Sequence, residues 1–266
     1  MTIRAALAGL LVSGTCAAAI VIPIEIENGN PVAQVRINGV DARLIVDSGG
    51  ELVSLKPAVI DKVAATRTGA YAEGTNALGQ TRPQALLTLA SLEIGDRLFH
   101  DVAAQESGDY AKDAAGDGVI GRRFLNEFVA IYDYPAARIS LFDAKERREA
   151  RKDCRGTSVR MLPDAEGLVI SHASAEGRAL RVLWDTGAVR SFIKKSFADD
   201  RELAVEATFY TARRFVLSGR DVGPQRFVVV DLQAPASVDG YVGYDFFSDH
   251  VVCIDPRARV VRYRNP

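Results

Sequence analysis

The stretch VLWDTGAVRSF, residues 182–192, decides how this chain is read. An apolar run (Val182, Leu183, Trp184) ends on a carboxylate, Asp185, followed at once by Thr186 and Gly187. Strand-forming residues that drive an acid toward an interior are costly, because a buried ion must be paired or neutralised. The arrangement has a partner earlier in the chain. LIVDSGG, residues 44–50, sets Leu44, Ile45 and Val46 ahead of Asp47, then Ser48 and Gly49.

The likeness continues downstream. GDGVIGRRFLNEFVAIYDYPAARISLF (116–142) and VDGYVGYDFFSDHVVCIDPRARVVRYR (238–264) share Asp-Gly, an apolar pair ending in Gly121 or Gly243, a Phe, an apolar strand, an Asp, then Pro with Ala and Arg. Two matched blocks in the same order indicate an internal duplication. Asp47 and Asp185 are 138 residues apart and Gly118 and Gly240 are 122 apart, so the second copy is 16 residues shorter in between. Short apolar alternations punctuated by Asn28-Gly29 and Asn38-Gly39 predict consecutive β-hairpins. Helices are expected only over Pro57 to Val63 and Lys194 to Asp200, a turn or two after each acid motif. The chain therefore reads as mostly β, in two unequal lobes at 20–142 and 154–266. The charged segment between them, 143–153, lacks apolar periodicity and reads as a solvated linker or short exposed helix.

Composition narrows the function classes. The 266 residues are 48% apolar and 25% charged with a net charge of −1, ordinary for a globular protein and without a field that would recruit nucleic acid. Residues 1–19 run from a basic start (MTIR) through an apolar segment to small residues, the order of a signal peptide cleaved near Ala19. The expected location is periplasmic or secreted. Two alternatives stand beside it: an uncleaved anchor, since residues 5–24 carry no charge, and lipidation at Cys16, for which Ser13 and Thr15 are poor neighbours. After cleavage Cys154 and Cys253 remain, either as one disulfide or as two buried thiols.

The three histidines, His100, His172 and His250, lie in unrelated contexts, and no ligand spacing for a metal occurs. Neither a Gly-x-Ser-x-Gly elbow nor a Gly-x-Gly-x-x-Gly loop is present. No metal and no cofactor is expected. What the duplication repeats is a carboxylate. Two acids facing each other across a pseudo-twofold axis resolve the cost of burial by sharing one proton. One then accepts a proton while the other donates, and a water between them can attack a carbonyl. Gly49 and Gly187 let the backbone approach closely. Ser48 and Thr186 offer hydroxyls that bond across the interface, and Gly121 and Gly243 let a strand cross beneath each acid loop.

D-[ST]-G-[GA] followed by an apolar-apolar-Gly block resembles the aspartic peptidase family, over nearly the whole mature chain. Two copies in one chain are similar to the bilobal pepsin-like architecture, while G-x-x-F followed by Asp-Tyr-Pro resembles retropepsin-type lobes of bacterial proteins. The resemblance implies a two-lobed acid-protease-like β-barrel fold with pseudo-twofold symmetry. It also implies Asp47 and Asp185 as the catalytic pair, supported by Ser48, Gly49, Thr186 and Gly187. It places a flap hairpin over residues 68–80, with Tyr71 packing over the cleft or standing as an exposed loop residue. A shorter counterpart is expected near Phe209 and Tyr210. Gly50 departs from the usual Ala, Ser or Thr, which is expected to loosen the first acid loop. Trp184 is bulkier than the usual aliphatic residue and is expected in the lobe core. The function implied is an exported aspartic endopeptidase acting as a monomer on a peptide or protein substrate. The alternative is an inactive descendant that binds peptide or protein in the same cleft.

Overall fold

The computed structural model describes residues 19–75, 79–108, 115–201, 203–206, 208–233 and 235–266. The N-terminal segment read as a signal peptide, with Cys16, lies outside the described residues. The first lobe contains β1 (Ile20–Glu27), β2 (Asn30–Ile37), β3 (Val40–Val46), β4 (Val53–Leu55), α1 (Pro57–Ile60), β5 (Thr66–Thr75), β6 (Thr81–Ile94), β7 (Arg97–Glu106), β8 (Gly118–Ile120), α2 (Arg122–Leu125), β9 (Val129–Asp133) and β10 (Arg138–Phe142). Helix α3 (Arg147–Asp153) leads into the second. There follow β11 (Thr157–Arg160), β12 (Ile170–Ala175), β13 (Arg178–Trp184), β14 (Phe192–Lys194), α4 (Lys195–Asp200), β15 (Val205–Glu206), β16 (Phe209–Ala212), β17 (Phe215–Leu217) and β18 (Arg220–Asp221). The lobe ends with β19 (Gln225–Val230), β20 (Gly240–Val242), α5 (Tyr244–Phe247), β21 (Val251–Asp255) and β22 (Val260–Arg264).

Local chemistry sets the hairpins. Asn28-Gly29 and Asn38-Gly39 both take positive φ (51° and 88°, 51° and 80°), the backbone that a two-residue turn between right-twisted strands requires. They fix β1–β2 and β2–β3 in register, with Glu27 opposite Asn30 and Ile37 opposite Val40. Period-two alternation then sends Ile20, Ile22 and Ile24 inward, all nearly inaccessible.

Each lobe threads a strand between the two arms of its acid loop. Strand β8 runs parallel to β3 and antiparallel to β4, and β20 runs parallel to β13 and antiparallel to β14. The apolar-apolar-Gly block is this inserted strand. A β-carbon on Gly121 would lie 2.4 Å from the Leu52 carbonyl oxygen, and one on Gly243 2.4 Å from that of Arg190, so only glycine lets the strand end pass under the loop.

A sheet in the order β11-β22-β21-β9-β10-β1 joins the lobes. At its centre β9 and β21 are antiparallel with Ile131 opposite Cys253. Those two residues are 122 apart, the same offset as the repeat, so the pseudo-twofold axis passes between them. Ala130, Tyr132, Val252 and Ile254 face the main core, while Val129, Ile131, Val251 and Cys253 face a second cluster with Phe142, Ala150 and Cys154. Helix α3 covers that second face. The segment from 143 to 153 is thus docked, not merely solvated: Ala150 is buried, and Arg147 donates to both oxygens of buried Asp255 at 2.8 and 3.0 Å. A single buried Ala leaves no periodic pattern to read. Cys154 and Cys253 form a disulfide with Cα atoms 5.4 Å apart, which settles the alternative between a bridge and two thiols.

Candidate active site

Asp47 and Asp185 each follow the last residue of an apolar strand, β3 or β13, and are held there by equivalent bonds. Asp47 N–H donates to the Ile120 carbonyl and Asp185 N–H to that of Val242, both at 3.0 Å. The loops that carry the acids meet at the pseudo-twofold axis. There Ser48 N–H donates to Thr186 Oγ1 (2.9 Å) and Thr186 N–H donates to Ser48 Oγ (3.0 Å). Ser48 Oγ donates to the Trp184 carbonyl at 2.8 Å and Thr186 Oγ1 to the Val46 carbonyl at 2.7 Å. Both hydroxyl residues are buried. Four reciprocal bonds between buried groups lock the loops, each contributing about 1 kcal/mol net and costing more if one partner is removed.

This grip brings the two carboxyls together. Gly49 N–H and Gly50 N–H donate to Asp47 Oδ1 at 2.8 and 2.9 Å, and Gly187 N–H donates to Asp185 Oδ1 at 2.8 Å. The main-chain amide of Gly50 thus ties the first loop to its own acid. Each motif glycine faces the opposite acid: a β-carbon on Gly49 would lie 2.6 Å from Asp185 Cγ, and one on Gly187 2.4 Å from Asp47 Cγ. The six residues read from sequence, Asp47, Ser48, Gly49, Asp185, Thr186 and Gly187, form one contiguous cluster. Burial, then the charge of Asp47, then a hydrogen bond with it, raise the Asp185 pKa well above the ordinary range, while the amides of Gly187 and Ala188 oppose the rise.

Trp184 is inaccessible in the second lobe, with Nε1 donating to Ser171 Oγ at 3.1 Å and its ring edge-on to Phe246, in keeping with a core role. The flap expectation is corrected in part. The hairpin exists, formed by β5 and β6, though residues 76–78 of the predicted segment lie outside the described residues. At its far end a β-carbon on Gly79 would lie 2.7 Å from Gln233 Cβ, so the hairpin reaches from the first lobe to the second. Tyr71, however, does not pack over the cleft. It pairs with Ala85 and is 70% exposed. Side chains alternate across the ribbon, and a register shift between Arg67 and Tyr71 puts the tyrosine on the outer face. On the other face Ala72 pairs with Gln84, which is buried and lies over Gly74. In the second lobe the counterpart, β15 with β16, has only the pairs Val205–Tyr210 and Glu206–Phe209.

Sequence reasoning missed several supporting groups. Arg122, buried at the start of α2, donates to the Gly49 carbonyl at 3.0 Å and, across the lobes, to that of Glu166 at 2.9 Å. Asp245 accepts from Ser191 N–H and Oγ (2.8 and 2.6 Å), and Ser191 Oγ accepts from Gly243 N–H, which fixes the second acid loop. Tyr132 and Tyr134 pack in the main core and Tyr241 in a separate cluster with Leu183; their phenols are pushed up first by burial and then by a neighbouring group, Asp47 for Tyr132, Tyr132 for Tyr134 and Asp185 for Tyr241. Arg122 directly follows Gly121 at the end of the inserted strand, the sequence signal that marks it.

Two lobes of the same threaded topology, each delivering an aspartate to a shared axis through a hydroxyl grip, define a two-lobed acid-protease-like fold. Residues 33–127, which include the first acid motif and its glycine block, match the family model described as gag-polyprotein putative aspartyl protease. The first lobe thus carries a retropepsin-like aspartyl protease domain, which supports a peptidase at the general level. No curated protein matches the sequence.

Proposed function

We propose that the chain is an exported aspartic endopeptidase that works as a monomer, with Asp47 and Asp185 as its catalytic pair. The observation that carries the reading is the reciprocal Ser48–Thr186 grip, which supports two carboxyls facing each other on one chain. A pair so close holds one proton over a range of pH, because both groups cannot ionise together. The raised pKa of Asp185 favours the proton on that residue. A water between the carboxyls gives one proton to Asp47 as its oxygen attacks the peptide carbonyl, while Asp185 gives its proton to the carbonyl oxygen. As the tetrahedral carbon collapses, Asp47 gives its proton to the amide nitrogen and one hydroxyl of that carbon returns a proton to Asp185; the C–N bond breaks, a carboxylic acid and an amine leave, and the pair is regenerated. The long β5–β6 hairpin closes over a peptide substrate from the first lobe. Export is supported by the N-terminal sequence and by the Cys154–Cys253 bridge, which persists in oxidising compartments.

The test is cleavage of a mixed peptide library by the purified protein, with Asp185→Asn as control. Internal cleavage by the wild type and none by the variant is expected. Equal cleavage by both would remove Asp185 from the chemistry, and no cleavage by either would favour a binding module.

A further inference from the structure

The outer face of the interlobe sheet, turned away from the main core, carries groups that the reaction above does not use. Side chains alternate across β9 and β10, which puts Ile131, Ser140 and Phe142 on this side. Helix α3 covers part of the face, and beside it lies a cavity of about 430 Å³ that reaches Ile131 and Phe142. Four cations line the cavity, Arg138, Lys152, Arg155 and Arg264, against two acids, Asp133 and Asp153. Asp133 is taken by Arg138 at 3.2 Å. Arg155 and Arg264 donate to main-chain carbonyls, those of Lys152 and Asn265, at 2.5 and 3.0 Å. Lys152, Arg155 and Arg264 have no acidic partner among the described residues.

Helix α3 extends the same charge. Arg151 and Lys152 stand three and four residues after Arg148 and so share a flank of the helix with it, and Arg155 continues the row; all four are exposed. Against them the helix sets Glu149 and Asp153, while Glu146 is buried and faces Arg97 at 3.6 Å. The chain also enters the fold here. Ala19 packs on the cluster of Val129, Ile131, Phe142 and Cys253. Val21, opposite Ser140 and therefore on the same face, is 50% exposed. Ahead of Ala19 runs the uncharged stretch read as a signal peptide or an anchor. The other side of the sheet packs on the core that holds Val46 and Trp184, the residues just before the two acids. A surface covering the outer face therefore leaves the cleft uncovered. Nucleic acid fits this patch less well, because no exposed aromatic ring lines the cavity for a base to stack on.

We propose that this face docks the protein on an anionic lipid surface, with Lys152, Arg155 and Arg264 at the headgroups and Val21 at the boundary with the acyl chains. Electrostatic attraction adds to apolar burial at such a surface, at about fivefold in affinity for each basic side chain near the headgroups. The protein then sits with its interlobe sheet toward the membrane and its cleft open to substrate. The inference goes beyond the peptidase reading and does not depend on it.

The test compares the full chain with two triple variants on vesicles of phosphatidylcholine, alone or mixed with phosphatidylglycerol. One variant is Arg148→Gln/Lys152→Gln/Arg155→Gln; the other, Arg178→Gln/Arg213→Gln/Arg220→Gln, removes the same charge from exposed positions of the second lobe. All three proteins share the N-terminal segment, so differences between them read the face. Expected are tighter cosedimentation of the wild type with mixed than with neutral vesicles, a loss of about 100-fold on mixed vesicles for the first variant, and wild-type behaviour for the second. Hydrogen exchange of the vesicle-bound wild type is the second readout, and it holds even where the N-terminal segment keeps every protein on the vesicles. Residues 147–153 should exchange more slowly on mixed than on neutral vesicles. Equal affinity for both vesicles with equal exchange would overturn the proposal, as would equal losses in the two variants. Binding of a single-stranded oligonucleotide as tight as that of mixed vesicles would also overturn it, and would assign the patch to nucleic acid.

Discussion

Gly187 and Gly49 set how closely the carboxyls approach, and this can be tested without touching an acid. A β-carbon on Gly187 would sit 2.4 Å from Asp47 Cγ and 2.5 and 2.6 Å from its oxygens; on Gly49 it would sit 2.6 Å from Asp185 Cγ. Ordinary contact begins at 3.4 Å, so Gly187→Ala obliges Asp47 to retreat by about 1.0 Å and Gly49→Ala obliges Asp185 to retreat by about 0.8 Å. Neither glycine has a left-handed φ, so the backbone accepts alanine and the strain falls on the dyad. A misplacement of about 1 Å in a reacting group costs on the order of 100-fold in rate. We expect kcat/KM to fall about 100-fold for Gly187→Ala and somewhat less for Gly49→Ala. Gly50→Ala, whose β-carbon would lie 3.0 Å from Asp47 Oδ2, should lose least. Steady-state cleavage of one library-selected peptide gives the order, and thermal melting checks that each variant is folded. A fully active Gly187→Ala, or a reversed order, would refute the account of how the carboxyls are spaced.

Three further outcomes follow from the same contacts. Because Asp185 has a raised pKa, the folded chain holds more protons than the unfolded one between the ordinary aspartate range and the raised value. The wild type should therefore lose stability as pH rises through that window, and Asp185→Asn should flatten the loss and melt higher at neutral pH; parallel pH–melting curves would contradict this. Ser48→Ala removes two cross-lobe bonds and strands the buried Thr186 N–H, so urea unfolding should show a loss of about 2–3 kcal/mol, whereas an unchanged midpoint would mean the grip is not stabilising. Opening the Cys154–Cys253 bridge, whose residues are 99 apart, should cost up to about 4–5 kcal/mol by chain entropy, read as a lower urea midpoint under reducing conditions.

Much of the fold was legible because it is written twice. The paired acid motifs and glycine blocks gave the lobes, and Asn28-Gly29 and Asn38-Gly39 gave the first hairpins. The second-lobe equivalent of Asn38-Gly39, Glu176-Gly177, takes the same positive φ without an asparagine and left no comparable signal. The dyad was readable since its chemistry sits in six residues adjacent to each other in two short stretches. Residues that reach the site from a distance were not. Arg122 and Tyr134 act through interlobe packing; Arg122 is marked only by its place after Gly121, and nothing local distinguishes Tyr134 from other tyrosines. Of the two readings left open for Tyr71 the exposed one holds, because the face of a strand depends on register, and one irregularity between Arg67 and Tyr71 turns the side chain outward. Helix α3 was one of the two readings of the charged segment, but its docking escaped for want of apolar residues: Ala150 and the Arg147–Asp255 pair hold it.

The claim at the centre is that Asp47 and Asp185 share one proton and work as a pair. The most direct measurement is kcat/KM against pH on a single cleaved peptide, for the wild type and for Asp47→Asn. A bell with two limbs in the wild type, and no measurable cleavage by the variant at any pH, is the predicted result. A flat wild-type profile from about pH 3 to 9, or an Asp47→Asn variant that retains wild-type activity, would contradict it.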